Sequence, residues 1–224
     1  MSKRVLILVE GQTEERFVKE VLAPDFWPKG LYLTPTILVT KRVKDGPNFK
    51  GGVTNFAKFE NDARRLLTSS GNLLVTTLLD YYGLPSDFPG MSTRPANASA
   101  LDRVLHVEKS ISAYFGQPAN FAPFLALHEF EAWLFSSASE LPRVMTEAHK
   151  QPQFEAILRS VTTPEEINER PEWAPSKRIQ SLFPSYDKKV HGPNTINRIG
   201  LQKVRQQCPH LNEWLTWLEQ HAVS

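Results

Sequence analysis

Glu10, Asp80 and Glu131 each stand beyond a largely apolar stretch: Val5-Leu6-Ile7-Leu8-Val9 before the first, Leu73 to Leu79 before the second, Phe121 to Leu127 before the third. A buried strand that ends on a carboxylate puts it at the edge of a sheet, where open α/β folds bind ligands. Carboxylates converging from several strand ends can hold Mg²⁺ or Mn²⁺, because hard divalent cations take oxygen ligands and Mg²⁺ often needs only one or two from the protein. Such a cation neutralises phosphodiester charge and activates water for in-line displacement, while a further carboxylate moves the proton. Glu10, Asp80 and Glu131 are therefore the candidate catalytic residues and metal ligands, with Glu129 and Asp87 in reserve. The plainer reading of each is a polar strand terminus.

Glu129 and Glu131 are two residues apart, so a helix would separate them and a strand would put them on one face. The apolar Ala132-Trp133-Leu134-Phe135 that follows would fix Glu131 against the core and favours it of the two.

The elements that must position these groups follow from hydrophobic pattern. Val5 to Val9 runs without alternation, as a strand covered on both faces does. After Gly11 a helix is expected from about Gln12 to Ala23, with Thr13 as N-cap, Glu14 and Glu15 at its positive end, Phe17, Val18, Val21 and Leu22 inward, and Pro24 as its stop. Leu31 to Thr40 reads as an edge or bulged strand around Pro35. A basic, glycine-bearing loop spans Lys41 to Gly52, and a helix covers Asn55 to Leu67. The strand ending at Asp80 leads into a Gly- and Pro-rich loop. A helix from about Leu101 to Phe115 follows, with Val104, Leu105, Ile111 and Phe115 inward, and then the strand Phe121 to Leu127. Alternating strands and helices predict a mostly parallel α/β sheet over residues 1–136. Residues 137–224 read as a helical extension packed on it, its short helices punctuated by Pro142, Pro152, Pro164, Pro171, Pro175, Pro184, Pro193 and Pro209. Pro209 heads the last helix, with Leu211, Trp214, Leu215 and Leu218 on one face.

Composition narrows the function classes. The 224 residues are 41% hydrophobic, enough for a full core. Lys and Arg (26) nearly balance Asp and Glu (24), for a formal charge of +2, so any nucleic-acid surface is a local patch. The candidates are Lys41, Arg42, Lys44 and Lys50 in the basic loop, then Lys177, Arg178 and Lys188, each otherwise a solvated or charge-paired residue. Tyr81 and Tyr82 can stack on a base or pack under the loop. His128 can tune a site or simply be hydrogen-bonded at a strand end. The single cysteine, Cys208, excludes an intrachain disulfide framework and a multi-thiolate zinc site, and fits a reducing cytoplasm. No apolar run reaches the roughly 20 residues of a membrane span. Gly11-Gln12-Thr13 has neither the glycines nor the lysine of a phosphate-binding loop.

Three blocks carry a resemblance: Val9-Glu10-Gly11-Gln12-Thr13-Glu14, Leu79-Asp80-Tyr81-Tyr82-Gly83-Leu84-Pro85, and His128-Glu129-Phe130-Glu131-Ala132-Trp133. With Ser176-Lys177-Arg178 and Tyr186-Asp187-Lys188 they resemble the Toprim-like domain-of-unknown-function family 4276 across nearly the whole chain. The resemblance implies a Rossmann-like sheet, an Mg²⁺- or Mn²⁺-dependent site that cuts or joins phosphodiesters, and a bacterial defence or DNA-maintenance setting with an AAA or ABC-type ATPase partner. In the Toprim pattern Glu10 matches the glutamate that handles the proton, and Asp80 matches the first aspartate of a metal-binding Asp-x-Asp pair. Tyr82 stands where the second aspartate belongs, which opens the alternative of a non-catalytic scaffold that binds nucleic acid or the ATPase. A topoisomerase would need a strand-passing domain for which this length leaves no room.

Overall fold

The computed structural model describes residues 3–41, 49–50, 53–69, 73–167 and 171–221. Its centre is a parallel sheet in the order β2-β1-β5-β6, built from β1 (Lys3–Val9), β2 (Leu31–Ile37), β5 (Leu74–Asp80) and β6 (Phe121–Ala122). β7 (Leu125–Ala126) pairs with the end of β5, opposite Leu79 and Asp80. The chain leaves β1 toward β2 on one side and returns to β5 on the other. That reversal falls at the carboxyl ends of the two central strands, the place where open α/β sheets bind ligands, and Glu10 and Asp80 lie there.

The aliphatic runs become central strands because both faces are covered. Val5, Ile7, Val9, Leu74 and Leu78 face one core, and Leu6, Leu8, Val75 and Leu79 the other. The second face is closed by α3 (Phe56–Ser69) and α4 (Ala100–Tyr114). The first is closed by α1 (Gln12–Phe17), a π-helical turn (Val18–Leu22) and α2 (Ala23–Phe26), together with the C-terminal helices. Those helices are α5 (Glu140–Val144), α6 (Gln151–Leu158), α7 (Pro175–Leu182), α8 (Lys188–Ile199), α9 (Leu201–Gln207) and α10 (Pro209–Gln220). Leu211, Trp214, Leu215 and Leu218 of α10 are buried as their spacing requires, and Trp214 Nε1 donates to Thr76 Oγ1 at 2.9 Å, tying the last helix to β5. Among the described residues no helix is long and apolar enough to cross a membrane.

Several local expectations need correction. Pro24 does not stop the first helix. The π turn lies immediately before it, where the ring would otherwise meet the carbonyl four residues back, and helical backbone continues to Phe26. Thr13 lies inside α1 and is buried, while Gly11 holds the N-cap position. Leu105 is exposed and Val107 takes its place in the core. The expected strand Phe121 to Leu127 is interrupted between β6 and β7 at Pro123-Phe124, where Thr77 Oγ1 donates to the Phe124 carbonyl (2.7 Å) and accepts from its N–H (2.8 Å) in place of ladder bonds. The basic stretch begins and ends in a short antiparallel pair, β3 (Val39–Lys41) with β4 (Phe49–Lys50), rather than in loop alone. Pro193 lies within α8. It cannot donate to the Lys189 carbonyl, and the Arg16 guanidinium does so instead.

Candidate active site

Four carboxylates and one ammonium gather at the ends of β1 and β5. Glu10 directly follows β1, and its Oε2 accepts the Asp80 backbone N–H at 3.1 Å, so the two strand ends are joined through the candidate residues themselves. Asp80 ends β5. Its Oδ1 accepts the Phe130 N–H at 2.9 Å, and its Oδ2 lies 3.2 Å from Lys188 Nζ. Glu131 sits in the 3₁₀ helix Phe130–Ser136, 1% exposed, with Oε2 3.2 Å from the same Nζ. Glu14 of α1 is also buried, with Oε1 3.4 Å from that Nζ. Lys188 opens α8, where Asp187 caps the helix by accepting the Lys189 N–H, and about a third of its side chain (34%) faces solvent.

The electrostatics follow from burying like charges together. Burial, then the Asp80 charge, pushes Glu10 up to about 8. Burial also raises Glu131, to about 7, with Lys188 opposing and Asp80 and Glu129 adding to the rise. Glu14 is raised chiefly by burial. Burial alone would lower Lys188, but Asp80, Glu131, Glu14 and Glu10 outweigh it and push the ammonium well above its ordinary value. The donor set suits a hard divalent cation, being all carboxylate oxygen, although buried Glu131 Oε2 is already ion-paired with Lys188 Nζ. Among the described residues no three acidic, histidine or cysteine side chains form a metal cage by themselves. Glu14, Asp80 and Glu131 converge instead on Lys188 Nζ, and Glu10 joins them through the Asp80 N–H.

The other candidates lie elsewhere or do other work. Asp87 accepts the Phe56 N–H at 2.9 Å, at the start of α3. Glu129 Oε2 accepts the Ser176 N–H at 2.9 Å, an anion at the start of α7. Both carboxylates thus satisfy helix ends. His128 has φ of 68°, a left-handed backbone uncommon outside glycine, and its carbonyl accepts the Tyr82 N–H at 3.1 Å. Burial and the Arg103 charge lower its imidazole to about 4, so it stays neutral at physiological pH. Lys177 is exposed on α7, while Arg178 lies over the Trp173 ring at 5.2 Å and donates to the Trp173 carbonyl. Of the basic stretch, Arg42 and Lys44 fall outside the described residues, and only the backbone of Lys41 and Lys50 is described.

Glu14 is the member that sequence reasoning missed, because a glutamate in a first helical turn is explained by the helix dipole alone. Its four-residue spacing from Glu10 across the strand-to-helix turn was the available signal. Lys188 was legible as a cation and not as the centre of the cluster.

α8 can bring Lys188 in only by close approach. A Cβ on Gly192 would meet Phe130 Cε1 at 2.9 Å, and Phe130 is fully buried against Phe17 and Trp133, with ring centroids 5.3 Å away in both cases. Gly192→Ala should therefore destabilise the chain by about 1–3 kcal/mol through overpacking, despite the better helix propensity of alanine. Urea unfolding measures it, and unchanged stability would show that α8 is not held this tightly.

The family model described as "Domain of unknown function (DUF4276)" matches residues 9–219. Among solved structures, the C-terminal region of the Burkholderia pseudomallei OLD protein is similar at 15% identity and a TM-score of 0.47, over 98% of both chains. That of the Xanthomonas campestris pv. campestris OLD protein is similar at 16% identity and a TM-score of 0.41, again over 98% of both. No curated protein matches the chain in sequence.

Proposed function

The chain belongs to the DUF4276 family, and we propose that it is a Toprim-like, divalent-metal-dependent nuclease hydrolysing phosphodiester bonds of DNA or RNA. The supporting observation is the meeting of Glu14, Asp80 and Glu131 at Lys188 Nζ, with Glu10 joined to them through the Asp80 N–H, at the carboxyl ends of the central parallel strands. Mg²⁺ or Mn²⁺ held by Asp80 and Glu131, with Glu14 and Glu10 beside them, would supply phosphate neutralisation and water activation. Lys188, partly open to solvent, meets an incoming phosphate with an ammonium already oriented by three carboxylates, and so offsets charge that builds on the phosphoryl oxygens. Glu10 moves the proton, taking it from the attacking water or giving it to the leaving oxygen. Burial of the Glu131 side chain and the Phe130 N–H bond to Asp80 hold the acidic wall in place.

We further propose a cytoplasmic effector acting with an AAA or ABC-type ATPase in bacterial defence or DNA maintenance, a setting supported by the resemblance of the blocks around Glu10, Asp80 and Glu131. A second reading, a non-catalytic scaffold that binds nucleic acid or the ATPase, is favoured by Tyr82 at the second aspartate position and by the chain's own cation at the cluster's centre. Purified protein, alone and with an ATPase encoded beside it, is to be incubated with plasmid, linear DNA and structured RNA in Mg²⁺ or Mn²⁺. Cleavage abolished by Asp80→Ala supports the nuclease, and cleavage that survives it overturns the site. No cleavage, with no calorimetric signal for either cation, leaves the scaffold.

A further inference from the structure

We infer that His210 and Glu108 are positioning residues of this site: together they hold both backbone polar groups of Leu125, and with them the segment that leads to Glu131. This rests on the reading of the acidic cluster as an active site and extends it to α4 and α10.

Among the described residues β7 is paired on one side only, with β5, where Leu125 stands opposite Leu79 and Ala126 opposite Asp80. The Ala126 carbonyl is taken by the Tyr81 N–H at 3.1 Å, and ladder bonds alternate along a strand, so the N–H and C=O of Leu125 point out of the sheet. Leu125 is fully buried, where an unmet backbone pair is costly. Side chains from two helices stand in for a next strand. Glu108 Oε1 of α4 accepts the Leu125 N–H at 2.7 Å, while His210 Nε2 of α10 lies 3.2 Å from the Leu125 carbonyl and 3.1 Å from the same Glu108 Oε1. Only an N–H can bond a carbonyl, so the hydrogen is assigned to Nε2, and buried Nδ1, without a hydrogen-bond partner, is the nitrogen that titrates.

Six positions separate Leu125 from Glu131, and the chain between them is tied to Asp80 twice. Ala126 pairs with it in the sheet, and the Phe130 N–H reaches its Oδ1 at 2.9 Å. A shift of Leu125 is therefore a shift of the acidic wall. The α10 end of the clamp is itself fixed. Glu165, buried in the 3₁₀ helix Pro164–Glu166, accepts the His210 N–H at 2.9 Å and the Leu211 N–H at 3.1 Å. The His210 ring lies 4.9 Å from that of Phe124, the residue before Leu125. Burial alone would lower His210, but Glu108 outweighs it, with Glu165 adding, and holds the imidazole above its ordinary value. Burial raises Glu108 against the pull of His210, and Glu213 of α10 adds to the rise. The stability that the His210 charge contributes is fully present below about 6.5 and is lost as pH rises through its raised value.

Hydrogen–deuterium exchange of the full chain reads the segment, and cleavage kinetics in Mn²⁺ read the site. In His210→Ala and Glu108→Ala, exchange over 125–131 should quicken roughly 10- to 100-fold while α3 keeps its wild-type rate. In the same variants kcat should fall roughly 10- to 100-fold, with KM within about twofold of wild type. Glutamine supplies an amide donor in place of the imidazole, or an acceptor in place of the carboxylate, so His210→Gln and Glu108→Gln should stay within about threefold of wild type in both readouts. Leu218→Ala removes a buried side chain of α10 and none of the groups that bond Leu125, so it should lower the melting temperature and leave 125–131 no faster than α3. By NMR, His210 should titrate lower in Glu108→Gln than in the wild type. Faster exchange through the whole chain in the alanine variants, equal loosening of 125–131 in Leu218→Ala, or full-rate cleavage with that segment loosened would each overturn the inference. A wild type that cleaves nothing removes the nuclease reading, and the exchange pattern alone then decides whether His210 and Glu108 hold the segment.

Discussion

Lys188→Met is expected to destabilise the chain by about 2–4 kcal/mol at pH 8 in EDTA, because it strips the shared cation from Glu14, Asp80 and Glu131. Removing one partner of a buried pair leaves an uncompensated charge, and here three carboxylates lose the same partner. The range is set below the usual cost of such a break because a third of the Lys188 side chain is solvated. The pH dependence has a defined sign. Glu131 is already raised to about 7 and Glu10 to about 8 with the lysine present, so each contributes stability that is fully present below about 4.5 and is lost as pH rises through those values. Without the ammonium both should titrate higher still, so the variant should be close to wild type near pH 5 and fall away toward pH 8. Urea unfolding at the two pH values measures this. Mg²⁺ or Mn²⁺ should raise the melting temperature more in the variant than in the wild type, since binding to the folded state alone stabilises it and the competing ammonium is gone. Equal stability of the two proteins at pH 8 would show that Lys188 does not neutralise the cluster.

What was legible in the sequence was what short-range pattern controls. β1 and β5 are continuous aliphatic runs, and such a run has few places to go except between two covered faces, so their ends and the carboxylates on them could be located. The groups that complete the site were set by distant packing. Lys188 reaches Asp80 across 108 positions of chain, and Glu14 becomes a site residue only because α8 packs against α1. Proline misled twice for one reason: its missing N–H ends a helix only when the orphaned carbonyl and the ring find no accommodation. The π turn provides it before Pro24, and Arg16 provides the donor for Pro193. Asp87 and Glu129 show the opposite limit. A carboxylate that caps a remote helix has the same local sequence signature as one that binds a metal, and only the N–H groups of Phe56 and Ser176 tell them apart.

Glu10→Gln should lower hydrolysis by about 10²- to 10⁴-fold while making the chain more stable, and the pairing of those two effects separates a reacting group from a structural one. Glutamine keeps the size of the side chain and can still accept the Asp80 N–H, so the junction between the strand ends survives. What it removes is the proton exchange and the charge. In the wild type the folded carboxyl holds its proton up to about pH 8, whereas the unfolded chain releases it near 4.5, so stability falls as pH rises between those values. The glutamine variant lacks that slope. Its advantage should grow from near zero at pH 4.5 by at most about 1.4 kcal/mol per pH unit, reduced by the opposing charge of Lys188, and then level off above pH 8. Thermal melts in EDTA across this range, with cleavage assays in Mn²⁺ at each pH, read both effects on one protein. If cleavage persists at the wild-type rate, Glu10 does not move the proton. If the stability difference is flat with pH, its carboxyl is not held protonated by burial and Asp80, and the crowding that distinguishes an acidic active site from an ordinary strand end is absent at this position.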